Sequence, residues 1–166
     1  MRVGRRGAPP QPVPVEPGER VLAWCEAEDG TVVAGTRDAL YLTGDPGVRV
    51  PWELVEAADW DRDTSTLRVS EVGTWGEERP VHELVLAEPQ RLLELLRERV
   101  TASIVLQRHV PVERRGGLRV IARRAPRGHL PLFWVFEYDE GVDPEDPEVQ
   151  ELRRQALAAA HAEVGS

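Results

Sequence analysis

Seven arginines fall between residues 108 and 136, at positions 108, 114, 115, 119, 123, 124 and 127, against the single acid Glu113. Guanidinium forks hold phosphate and carboxylate oxygens at two points, so such a block could form a strip for phosphate groups or an acidic protein surface. On a strand running from Leu118 to Arg124, the period of two puts Arg119 and Arg123 on one face with Ile121. Leu118, Val120 and Ala122 take the other face. With Arg114, Arg115 and Arg124, these two arginines are the sharpest binding candidates in the chain. The competing reading pairs them across a hairpin with Glu137, Asp139 and Glu140, because opposite charges on facing strands attract. Trp75 is a further candidate. It stands on a turn between Gly73-Thr74 and Gly76, where it either anchors a contact or packs over a core edge.

Other reactive residue types lack the spacing that chemistry needs. The histidines, His82, His109, His129 and His161, lie at least 20 residues apart, so no pair has the spacing of a helical or hairpin metal site. Cys25 is the only cysteine. It follows Trp24 in an apolar run beside Glu26, a setting for a small core residue rather than a reactive thiolate. Asp59-x-Asp61-x-Asp63 has the start of a calcium loop without its glycine or its distant glutamate, and reads as a solvated turn. No phosphate-binding glycine loop and no nucleophile elbow occurs. The expectation is a chain without catalytic residues, cofactor or metal.

Length and charge bound the answer further. A chain of 166 residues is one domain, or one domain with an extension, and is large enough to fold without disulfides. No apolar run approaches the 18 residues of a membrane span, and the first 18 residues lack the apolar core of a secretory signal. A bacterial, cytoplasmic protein is expected. All 21 basic side chains are arginine and asparagine is absent, which reads as coding bias and removes any argument from arginine having been preferred to lysine. Net charge is −8 and opposes tight non-specific binding to nucleic acid by the molecule as a whole. Residues 19–107 and 137–166 are acidic, and the basic block lies between them.

The elements that must carry these residues begin after a proline-rich arm, residues 1–18. Such an arm can be a ligand for aromatic-lined grooves, but its PQPVP pattern is too short to claim that. Short strands then follow at regular spacing: Val21–Cys25 and Thr31–Ala34 across Asp29-Gly30, Ala39–Leu42, Val48–Trp52, Val55–Trp60, Thr66–Val72 and Val81–Leu86. From Glu88-Pro89, Leu92, Leu93, Leu96 and Val100 recur at helical spacing, with Arg91, Glu94, Arg97, Glu98 and Arg99 as a solvated stripe. Ser103–Leu106 either prolongs this helix or starts a strand. Strands at Val110–Val112, Leu118–Ala122 and Leu132–Tyr138 follow. A last helix is capped by Asp146, enters through Pro147 and carries a thin stripe of Val149, Leu152, Ala156, Ala160 and Val164.

Seven antiparallel strands followed by one amphipathic helix resembles the layout of pleckstrin-homology-like (PH-like) domains. The run Thr36-Arg37-Asp38-Ala39-Leu40-Tyr41-Leu42, then Gly47–Val50, Pro51-Trp52-Glu53-Leu54-Val55 and Leu67-Arg68-Val69, is similar to bacterial members of that superfold. The resemblance covers roughly residues 19–105 and implies a fold more than a task. Phosphoinositide-binding members place basic residues around the first hairpin, whereas here it reads Glu26-Ala27-Glu28-Asp29-Gly30. The resemblance therefore implies a protein-binding or assembly module.

The expected architecture is α+β. A flexible arm (1–18) precedes a PH-like barrel or sandwich capped by a helix (19–105), an extra β-hairpin extension (106–142) and a C-terminal helix (143–166). The expected function is a non-catalytic protein-interaction module whose partner is another protein or a second copy. The alternative is a binder of nucleic acid or anionic phosphate ligands through Arg114, Arg115, Arg119, Arg123 and Arg124, with nucleic acid the less favoured partner.

Overall fold

The computed structural model describes residues 13–73, 77–114, 116–127 and 132–164. They form two compact units: one comprises the chain up to Ala102 together with 125–127, the other Ser103–Arg124 and 132–164. Among the described residues the architecture is α+β, with three antiparallel sheets and two helices.

In the first unit, β1 (Ala23–Glu26), β2 (Val32–Gly35), β3 (Ala39–Leu42) and β4 (Val48–Pro51) form a meander in sequence order. Gly30 takes φ +89° at its first reversal, a conformation that costs glycine little because it has no Cβ. The Asp29 carboxylate accepts the Thr31 amide at 2.9 Å in the same turn. A second meander contains β5 (Val55–Asp61), β6 (Thr66–Glu71) and β7 (Val81–Val85). Asp61 Oδ1 accepts the amides of Asp63 at 2.9 Å and Thr64 at 3.2 Å, so the aspartate run builds a turn. The two sheets meet through the isolated bridge Ala27–Leu86.

The expected barrel is not closed among the described residues. Pro51 supplies no ladder amide, and the chain turns at once into a short 3-10 turn, Trp52–Leu54. This sends Trp52 into the core, fully buried, with its indole N–H donating to the Thr36 carbonyl at 2.9 Å. Trp24, Trp60 and Trp134 are only partly buried.

Helix α1 (Gln90–Ser103) fills the space that the strands leave. Leu92, Leu95 and Leu96 pack with Val33, Leu40, Trp52 and Val69 in one apolar cluster. The fit leaves no room at Gly35, where a Cβ would stand 2.5 Å from Leu95 Cδ2 and 3.3 Å from Trp52 Cζ2. The helix stops at Ser103 because Ile104 and Val105, β-branched and extended, begin a strand without a loop.

That strand is β8 (Ile104–Val112), longer than the Val110–Val112 segment that the sequence reading gave. With β9 (Gly116–Arg123) and β10 (Phe133–Tyr138) it forms a sheet in the order β10-β9-β8, so the three strands expected after the helix join in one sheet and the extension is more than a hairpin. Helix α2 (Pro147–Val164) starts where Asp146 Oδ1 accepts the Glu148 amide at 2.9 Å. Its whole stripe, Val149, Leu152, Ala156, Ala160 and Val164, packs with Leu106, Leu118, Val120 and Ala122. Among the described residues no helix is long and apolar enough to cross a membrane.

Candidate functional site

The fold disperses the arginines expected to form a strip. Arg119 faces Glu137 across the β9–β10 ladder and donates to its carboxylate at 2.9 Å, half-exposed. Arg123 shares the face of Arg119 on β9, but only 2% of its surface is accessible, and it donates to Ser103 Oγ at 3.0 Å. A side chain so enclosed presents no surface to a ligand. Arg114, in the turn after β8 with φ +63°, and Arg124, beyond β9, are both exposed. Arg115 and Trp75 lie outside the described residues, as does His129.

A built site lies elsewhere, on the outer face of the first meander. Residues 13–17, part of the expected arm, run beside β3 and β4 and bound a groove of about 600 Å³. Val13 and Val15 pack against a small cluster of Ala34, Ala39 and Tyr41, with Val21 and Trp24 at its edge. Pro14 supplies no backbone donor in the extended stretch, and Pro17 with Gly18 (φ +85°) turns the chain so that the Glu19 amide donates to the Glu16 carbonyl at 3.0 Å. The amide of Glu16 is satisfied by the sheet: it donates to Tyr41 Oη at 3.0 Å.

Tyr41 belongs to a polar network at one end of this groove. Its hydroxyl donates to Glu19 Oε2 at 2.7 Å and accepts Arg49 Nε at 3.0 Å. Arg49 also reaches Glu19 Oε2 through Nη2 at 3.0 Å, and Thr36 donates to Glu19 Oε1 at 2.5 Å. The Glu19 side chain is 3% exposed, so these three partners, Tyr41, Arg49 and Thr36, replace the water it has lost. Burial pushes the Tyr41 phenol above its ordinary range, and the Glu19 charge acts in the same direction. The phenol therefore stays protonated and keeps its donor. Tyr41 and Arg49 are direct partners across the β3–β4 ladder. A register drawn through the Gly44–Gly47 turn would have put them side by side in the sequence reading.

Cys25 is buried, its thiol reaching the Ala87 carbonyl at 3.3 Å, and burial pushes its pKa up, away from thiolate chemistry. Among the described residues no group of three or more His, Cys, Asp or Glu side chains is placed to hold a metal ion. The Asp38 carboxylate is held below its ordinary range by the hydrogen bonds from Arg127, with burial opposing. Compared with known proteins, the chain matches no family model and no curated sequence.

Proposed function

We propose that this chain is a non-catalytic protein-interaction module, PH-like in its first unit, that grips an extended proline-containing segment on the outer face of β3 and β4. The observation that carries the reading is residues 13–17, which occupy this face with an amide hydrogen-bonded to Tyr41. The order of seven strands and one helix supports the PH-like assignment. An arm that docks on its own sheet makes a second copy a natural partner, because an arm leaving one groove can enter another. The alternative, a nucleic-acid or phosphate binder through the β9 arginines, is weakened by the ion pair of Arg119 and the burial of Arg123.

The test uses the full chain carrying Val13→Asp and Val15→Asp, which removes the two apolar anchors of the arm. A labelled peptide with the natural sequence of residues 10–20 should bind this variant saturably and bind the unaltered chain far less. Adding Tyr41→Ala should abolish the binding. A peptide that ignores the vacated groove, or binds equally with Tyr41 removed, rejects the reading.

A further inference from the structure

The first unit holds a second concavity of about 420 Å³, lined by Arg20, Arg37, Arg99 and Arg127 together with Glu19 and Asp38. These arginines are far apart in sequence and come from four places: the stretch before β1, the β2–β3 turn, the last turns of α1, and residues 125–127. Both carboxylates are already engaged. Glu19 serves Thr36, Tyr41 and Arg49, and Asp38 takes two donors from Arg127, Nε at 2.8 Å and Nη2. Arg20, Arg37 and Arg99 form no ion pair among the described residues. Arg99, expected on a solvated stripe, is half-buried, and its Nε is enclosed with no acceptor.

Three guanidinium groups without an ion pair among the described residues, set around one hollow, repel each other. A ligand with several anionic oxygens supplies both what neutralises them and what accepts from them. We propose that this cleft binds a small phosphate monoester, with Arg37 and Arg99 as its principal contacts. Charge is compatible with the assignment: with Glu19 paired to Arg49 and Asp38 to Arg127, the guanidinium groups of Arg20, Arg37 and Arg99 remain, and a phosphate monoester carries about −1.5 to −2 at pH 7. Surroundings limit the ligand's size. The meander's opposite end carries Glu28, Asp29 and Asp45 in its turns, and a net charge of −8 repels an extended polyanion while tolerating a compact one.

Isothermal titration of the full chain at constant ionic strength tests this with inorganic phosphate, ribose 5-phosphate, a phosphoserine peptide and a single-stranded oligonucleotide. Inorganic phosphate and ribose 5-phosphate should bind. Arg37→Gln and Arg99→Gln should each weaken binding roughly tenfold or more, the usual loss for a charge-assisted contact, while Arg124→Gln should leave it unchanged. Because Arg37 is exposed on a turn, its variant keeps the test open if Arg99→Gln folds poorly. A second readout is thermal: Arg99→Gln should melt no lower than the unaltered chain without ligand, yet lose the rise in melting temperature that ribose 5-phosphate gives. Absence of binding at millimolar phosphate, binding indifferent to both substitutions, or tighter binding of the peptide or oligonucleotide would each overturn the proposal.

Discussion

Two groups of arginines can be compared in this protein. Those on and around β9 are neighbours in sequence and conspicuous, yet the sheet engages its two central members: Arg119 pairs with Glu137 at the surface, and Arg123 is enclosed against Ser103. Arg20, Arg37, Arg99 and Arg127 are scattered through more than a hundred residues, and the fold gathers them around one cleft. A guanidinium along a strand can be satisfied by the facing strand as easily as by a ligand, because cross-strand pairing sets a facing side chain within reach, here Glu137 opposite Arg119. A guanidinium brought from a distant segment has no such built-in partner. Charge density in sequence is thus a poor guide to free charge in the fold.

The largest effect expected from this contrast is at Arg123. Changing it to Ala removes an enclosed side chain with its packing and hydrogen bonds, and should destabilise the second unit by about 2–3 kcal/mol. Urea unfolding followed by the fluorescence of Trp134, with the circular dichroism of α2 as a check, measures it. An Arg123→Ala protein as stable as the parent would mean that Arg123 is free to leave the sheet and bind outside, and the contrast between the two groups would collapse.

The intermediate effect is at Asp38, the acid that occupies Arg127. Its folded pKa lies below the ordinary 3.8, so the stability it contributes is fully present above that value and is lost as pH falls through the lowered one. Asp38→Asn should therefore melt below the parent at pH 7, and the gap should close on acidification through that window. The same change releases Arg127 into the cleft, and removing one negative charge beside a bound anion should tighten phosphate binding about fivefold, a 1 kcal/mol effect. Loss of stability together with gain of affinity separates this acid from one that merely supports the fold. Weaker phosphate binding in Asp38→Asn would mean that Arg127 works only when held by its partner.

How much of this could be read from the chain follows the range of each interaction. Elements defined locally were legible: Asp29-Gly30 set the first hairpin, Ala39–Leu42 is a strand with the bounds expected, and Asp146-Pro147-Glu148 began α2 with its stripe intact. The Arg119–Glu137 pair was one of two readings, since it needs only a hairpin register. Barrel closure was not legible, because it turns on whether Pro51 and Trp52 continue a ladder or break it. Neither was the burial of Arg123 or the enclosure of Arg99 Nε, because both depend on what packs against a face rather than on which face it is. The groove was half visible, as a proline-rich arm without a known receiver.

The smallest effect concerns Arg119, and it bears on the alternative reading of the β9 arginines. Its pair with Glu137 is solvent-accessible on both sides, so screening and side-chain entropy offset most of the attraction. A double-mutant cycle with Arg119→Ala and Glu137→Ala should give a coupling of about 0.2–1 kcal/mol, falling as salt is raised. Direct pairing within the ladder requires that the effect of either substitution shrink when the other is already present. A ligand-binding arginine would behave differently. Removing Glu137 would free Arg119 and strengthen the binding of single-stranded DNA at low salt, and Arg119→Ala would then cancel the gain. Coupling without any change in DNA binding assigns Arg119 to the sheet, and leaves the cleft arginines as the proposed phosphate contacts.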